Sequence, residues 1–487
     1  MVIAVAAVYG PQWVHMGMAL HPMTMVTAGG SWIGTIVAGL FAGNSETTSG
    51  TGDATKKSTA TKVKEVIAVI APFVFIAGLL IGVAYALDAV IVINAGQSWQ
   101  GVVAKPGDDV LPLRSVLLML GAGCLVALVI VALRVDINEF SLNAFYRHRL
   151  VRCYLGATRF KPKERHPQNF TGFDDKDDLR LADLVEPEGA ARGPLHIVNC
   201  ALNLGGSSDL ALHTRHSAAF TLTPVACGSG YVSRTQAGET EELGYVPTRE
   251  YGGRLGTPTL GQAISVSGAA ASPNMGYHTS PVVAFLLTVF NVRLGWWFPN
   301  PTLKATGYPS PHFNLSYLLA ELFGGANDKS QFLMISDGGH FENLAAYELI
   351  RRRCGTIIIS DGECDPKLTF EGLGTLIRMC EVDFGVTIKI DVKEIRADAA
   401  SHWSPTRCAV GTIIYPDAPV GRLIYLKASM TGREDTSVLQ YKASHPAFPH
   451  ESTSDQFYRE DQFESYRRLG QEVAQAAFEL AASEPTS

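Results

Sequence analysis

The stretch "QFLMISDGGHFENLAAYELIRRR", Gln331 to Arg353, decides how the rest of the chain is read. An apolar run ends at Asp337, two glycines follow, and helical spacing begins near Phe341. Leu344, Tyr347 and Ile350 form one apolar stripe, and the arginines fall in the last turn, where the helix dipole favours cations. A strand that feeds a helix through a short turn is the repeating unit of α/β architecture. It puts Asp337 at the carboxyl end of a strand, where ligands bind in open α/β sheets. Gly338 and Gly339 let the backbone turn tightly and approach a partner closely. The plainer reading, Asp337 as a turn or N-cap residue, stays open at this point.

Working outward, "LHIVNCAL", "QAISV", "GTIIIS", "GVTIKID", "VGTIIY" and "RLIYLK" read as further strands, and "NLSYLLAELF" as a helix. From Leu195 onward this alternation predicts a mainly parallel sheet covered by helices. A second informative segment is "GQAISVSGAAASPN", Gly261 to Asn274. It reads as an apolar strand running into Ser267, followed by Gly268 and three alanines. A nucleophile on a strained strand-to-helix turn needs such small neighbours. A helix starting after Ser267 would also point backbone N–H groups at a developing oxyanion. The G-x-S-x-G pattern itself is not matched, because Ser265 and Ala269 occupy its glycine positions, and a bystander serine at a strand–helix contact is the alternative.

The first third has a different character. No Asp, Glu, Lys or Arg precedes Glu46. The uncharged runs 68–87 and 115–133 each match the ~20 residues of a membrane-spanning helix, and 21–43 is a third candidate. Lys56, Lys57, Lys62 and Lys64 in one loop, and the arginines from Arg134 to Arg165, predict a cytoplasmic face for both basic stretches and for the large C-terminal domain. "FSLNAFYRHRLVRCYLGA", Phe140 to Ala157, reads either as an interfacial helix against anionic headgroups or as a linker helix packed on the next domain. Residues 162–193 are polar and acidic, as in a linker or surface arm. The expected domains are a membrane region of two to three or more helices (1–139), a basic juxtamembrane helix with a polar linker (140–193), and a catalytic domain (194–487). The expected localisation is multi-pass membrane, with the catalytic domain cytoplasmic.

Composition excludes other classes. The 487 residues carry a formal charge of −6, so no basic face predicts nucleic-acid binding. The eight cysteines are scattered without a C-x-x-C pair, which fits neither a disulfide framework nor a zinc site. There is no phosphate-binding G-x-x-x-x-G-K-[ST], no G-x-G-x-x-G after a strand and no H-E-x-x-H. No metal or organic cofactor is expected, and the oligomeric state is left open.

Taken together, S-G at Ser267–Gly268 and D-G-G-x-x-x-N from Asp337 to Asn343 resemble the patatin-like phospholipases. The likeness runs from about Ile197 to Cys364. It is to the branch of cytosolic phospholipase A and related lysophospholipases, and to bacterial membrane-anchored members. That resemblance implies a three-layer α/β/α sandwich, preceded here by the N-terminal transmembrane helices. It also implies a Ser267/Asp337 dyad that cleaves lipid acyl esters through an acyl-enzyme, with membrane phospholipid or lysophospholipid as substrate and the lipid bilayer as partner. Gly205 and Gly206, with the Gly268 N–H, would form the oxyanion hole, and Gly338, Gly339 and Asn343 would support Asp337. Cys227–Gly230 is a rival oxyanion loop on an inserted flap or hairpin, and Ser229 a rival nucleophile. A triad using His278 or His340 is a further variant. Asp361 ranks behind Asp337, since it lacks the second glycine and the asparagine. A lipid transacylase with the same dyad, or a non-catalytic membrane scaffold, are the competing functions.

Overall fold

The structure is a computed structural model. It describes residues 14, 16, 78–79, 81–88, 110–159, 165–185, 193–207, 215–234, 242–252, 257–273, 275, 284, 287–288, 291–303, 308–398, 402–452, 455 and 458–483. Two sheets organise the chain. The first is built from β1 (Val198–Asn203), β2 (Ser217–Leu222), β3 (Ala226–Arg234), β4 (Glu242–Pro247), β5 (Trp296–Pro299) and β6 (Phe332–Asp337), in the order β4-β3-β2-β1-β6-β5. The second holds β7 (Thr356–Asp361), β8 (Thr387–Ile390), β9 (Cys408–Ile414) and β10 (Gly421–Lys427), in the order β7-β10-β9-β8. The chain is therefore mixed α/β, as expected.

The mainly parallel sheet is not found. Among the described pairings only β10 with β7 is parallel, and the first sheet pairs antiparallel throughout. Parallel neighbours need long crossovers, whereas β2 runs into β3 through a few residues and pairs directly with it. The stretch expected as a flap or hairpin forms the β3–β4 hairpin. Cys227–Gly230 accordingly lies inside β3 rather than in a loop.

The described helices are α1 (Val110–Arg134), α2 (Leu142–Leu150), α3 (Leu260–Ser267), α4 (Asn314–Leu322), α5 (Tyr347–Arg351), α6 (Glu371–Phe384), α7 (Thr436–Ser444) and α8 (Glu460–Ser483). Strand side chains alternate between faces, and both faces of each sheet are covered. Cys200, Leu202, Leu333 and Ile335 pack with Ala263 and Val266 of α3, while Phe332 and Met334 turn to the opposite face with Trp297 and Tyr317 of α4. In the second sheet, Leu423 and Tyr425 meet Leu373 and Leu376 of α6, and Ile424 and Leu426 meet Leu469 and Val473 of α8.

The expected multi-pass membrane placement is overturned. Among the described residues no helix is long and apolar enough to cross a membrane. The candidate span 21–43 lies outside the described residues, as does most of 68–87. The end of α1 is held to the folded chain by Asn314, whose Nδ2 donates to the carbonyls of Ala132 and Val135.

Residues 162–193 are no loose arm where they are described. Asp177 is buried and takes Arg159 at 2.6 Å and Arg165 at 2.5 Å, and Leu181 is fully buried in the core of the first sheet. Likewise α2 packs on the fold, the second of its two readings: Asn143 Nδ2 donates to Leu294 O at 2.6 Å and Asn143 Oδ1 accepts from Ser265 Oγ at 3.3 Å.

In the second sheet, Lys427 at the end of β10 is fully buried and donates to Asp361 Oδ1 at 2.8 Å, while Tyr425 donates to Asp361 Oδ2. Asp361 is thus committed to neutralising a buried ammonium. Removing one partner of such a pair strands the other charge at low dielectric. Asp361→Ala is expected to lower unfolding free energy by about 3–5 kcal/mol in urea titration, without abolishing the fold of the first sheet.

Candidate active site

Ser267 is the last residue of α3, not a residue on a strand-to-helix turn. The helix starts at Thr259, whose Oγ1 accepts from Gln262 N at 3.1 Å, and the Asp178 carboxylate caps the same turn by accepting from Gly261 N at 2.7 Å. Thr259-x-x-Gln262 is a capping-box pattern, the sequence signal that identifies "QAISV" as helix. The core takes Leu260, Ala263 and Val266, at helical rather than alternating spacing.

That geometry changes the expected oxyanion site. The Gly268 N–H closes α3 onto Ile264 O at 3.1 Å, Ala269 N donates to Val266 O and Ala270 N to Gly268 O. Among the described residues no helix N-terminus directly follows Ser267; the serine sits at the carbonyl end of α3, where the helix dipole is negative. Gly205 and Gly206 lie at the far end of β1, where the Gly206 N–H donates to Ala326 O at 2.8 Å. Neither lines the cavity that holds Ser267.

That cavity, of about 450 Å³, is bounded by Ser267 at the end of α3 and Gly268 after it, Asp337 at the end of β6 with Gly338 and Gly339, Asn199 of β1, and Tyr146 with Leu150 of α2. Ser267 and Asp337 thus share one chamber although seventy residues separate them. β1 explains the juxtaposition. Cys200 is opposite Asp337 in the β1–β6 ladder, and the carbonyl of Asn199, one residue along, accepts from Ser267 Oγ at 2.7 Å. The serine hydroxyl is therefore directed at a backbone carbonyl beside the aspartate, rather than at the carboxylate itself. At Gly338 the backbone passes so close to Asn199 that an added Cβ would sit 2.7 Å from its carbonyl oxygen. Only glycine allows that approach.

Asp337 closes the turn after β6 by accepting from Gly339 N at 2.7 Å. Burial pushes its carboxyl up to about 6, with the Gly339 N–H acting in the opposite direction. Asn343 also faces the cavity and donates to Glu363 Oε1, and Glu363 N in turn donates to Asp361 Oδ1 at 2.9 Å. The Asp-Gly-Gly turn is thereby linked to the buried Lys427–Asp361 pair. Glu342 is buried as a cap for the turn before α5, accepting from the N–H groups of Leu344, Ala346 and Tyr347.

The remaining candidates lie elsewhere. Ser229 is fully buried and donates to Ala219 O at 2.6 Å. His340 Nδ1 is 2.8 Å from Ser336 Oγ, which also accepts from Asn203 Nδ2; Ser336 is fully buried on the strand face away from α3. His278 lies outside the described residues. The sequence reading missed Tyr146 as a cavity residue. Its spacing from Leu150 puts both on the inner face of α2, with Phe145 and Arg149 outward. Among the described residues no group of three or more His, Cys, Asp or Glu side chains could hold a metal ion.

No family model matches the chain, and no curated protein matches it in sequence. The chain is similar to the solved structure of human GIVD cytosolic phospholipase A2, at 14% identity and a TM-score of 0.40, over 81% of this chain and 56% of that one. It spans little more than half of that structure's length, so its chemistry has to be argued from its own cavity.

A half-buried, partly desolvated carboxylate with a raised pKa destabilises the folded chain wherever it is ionised. The cost is absent at pH 4, grows as pH rises toward 6, and is constant above it. Asp337→Asn keeps the acceptor for Gly339 but removes the charge. It is expected to be more stable than the parent by roughly 1–3 kcal/mol at pH 8, with no gain at pH 4, measured by thermal or urea unfolding at both pH values.

Proposed function

We propose that the chain is a serine carboxylic-ester hydrolase acting on lipid acyl esters, of phospholipase A or lysophospholipase type. One observation carries the reading: Ser267 and a half-buried Asp337, its carboxyl pushed up to about 6, line one cavity, with Ser267 Oγ on the carbonyl of Asn199, the neighbour of Asp337's ladder partner Cys200. Leu150, Ile197, Val198 and Ile264 give that cavity apolar walls suited to an acyl chain. The joint motifs around Ser267 and Asp337, which resemble those of patatin-like phospholipases, add the substrate class.

In the proposed reaction, Ser267 Oγ turns from Asn199 O to the ester carbonyl carbon and passes its proton to Asp337. Collapse of the tetrahedral adduct releases the alcohol, which takes the proton back. Water then attacks the acyl-enzyme, giving its proton to Asp337, which returns it to Ser267 Oγ as the adduct collapses and the fatty acid leaves. An ordinary carboxylate is a poor base for a serine; desolvation raises the basicity of Asp337, and the shared chamber supplies proximity.

The test is hydrolysis of a short-chain nitrophenyl ester and of lysophospholipid micelles by the full chain. Ser267→Ala and Asp337→Asn are each expected to lower kcat by at least about 1,000-fold. Because Asp337 must be ionised, kcat/KM is expected to fall about tenfold per pH unit below roughly pH 6. Full activity in Ser267→Ala contradicts the nucleophile, and a parent protein inert toward all these esters contradicts the enzyme reading in favour of a non-catalytic role.

A further inference from the structure

We infer that the hydroxyl of Tyr146 is the oxyanion donor of this site, so that the helix preceding the main fold supplies a catalytic residue. The inference rests on the ester-hydrolase reading above and deepens it.

A tetrahedral adduct at Ser267 develops a negative oxygen that needs a preorganised donor. The backbone N–H groups that directly follow the serine, and that of Gly339, are already engaged. The N–H groups of Gly268, Ala269 and Ala270 all close the end of α3, and the Gly339 N–H is held by Asp337. Asn343 Nδ2 is held by Glu363, and Asn199 Nδ2 leans on Ile197 O at 3.4 Å. The glycine pair Gly205–Gly206 is outside the cavity. The carbonyl end of α3 makes the need sharper, because its dipole opposes negative charge at Ser267.

Tyr146 meets that need. Its ring is half-buried in the cavity wall, and its hydroxyl stands directly over Gly268: a Cβ built there would lie 2.9 Å from the phenolic oxygen. Among the described residues, no protein group accepts the hydroxyl proton, so it is available to a ligand. Burial, and next the charge of Asp337, hold the phenol above its ordinary range, which keeps the proton in place through neutral and alkaline pH. His196, another cavity residue with an N–H, stands exposed at the rim, where water weakens any such contact. No proton is transferred in this role: Tyr146 donates a hydrogen bond to the adduct's oxygen and keeps its proton when the adduct collapses.

The test compares the full chain with Tyr146→Phe, which retains the ring and its packing, and with Ser267→Ala, on a soluble nitrophenyl ester. Tyr146→Phe is expected to lower kcat by about 100- to 1,000-fold with KM within about twofold and an unchanged unfolding midpoint. Its acid limb near pH 6 is expected to persist, since Asp337 remains. If Tyr146→Phe turns over at the parent rate while Ser267→Ala is inactive, the donor assignment is overturned and the hydrolase reading stands. If Tyr146→Phe raises KM alone, the hydroxyl binds substrate without stabilising the adduct, which also overturns the assignment. If the parent chain cleaves no ester, both fall together.

Discussion

Asp337 stands opposite Cys200 in the ladder that joins β6 to β1, and the carbonyl of Asn199, one residue along, receives the Ser267 hydroxyl. This register is the constraint on which the cavity depends. Strand side chains alternate with period two, so Leu333, Ile335 and Asp337 share the face that meets α3, while Phe332, Met334 and Ser336 share the other. A slip of one residue would send Asp337 to the wrong side of the sheet and bring Ser336 into its place.

The arrangement differs from a nucleophile elbow in a way that has chemical consequences. An elbow places its nucleophile before a helix, where free N–H groups favour an oxyanion. Here the serine comes after a helix, and the N–H groups that follow it are engaged in closing that helix. In the proposed reaction, negative charge at the adduct is met by a side chain, the Tyr146 hydroxyl. Tyr146 belongs to α2, which Asn143 anchors to both Ser265 and Leu294 O.

Much of the fold was legible in the sequence. β6, β7 and β10 appear as apolar runs bounded by charged residues or glycines, and the Asp337-Gly-Gly turn follows directly from "SDGGH". "QAISV" was not legible as helix from its apolar pattern, because a short apolar run suits either period; the cap formed by Thr259 and Gln262 carries the information. Strand direction was not legible either, since pairing partners such as Cys200 and Asp337 are far apart in the chain. Of the candidate site, Ser267, Gly268, Asp337, Gly338, Gly339 and Asn343 come together at one cavity, and Gly205 and Gly206 do not. Tyr146 was hidden in a segment whose arginines and exposed Phe145 draw attention to its outer face. The N-terminal apolar runs illustrate the opposite hazard: hydropathy alone suggested spans that the described helices do not provide.

The central claim is that Ser267, among the serines of this chain, is the one activated by its surroundings. The most direct measurement is mass-spectrometric mapping of the adduct formed by a fluorophosphonate probe on the native protein. The account predicts a stoichiometric adduct on the peptide containing Ser267, formed faster above about pH 6 as Asp337 ionises. An adduct on Ser229, Ser336 or another residue, or no adduct on the folded protein, would contradict it.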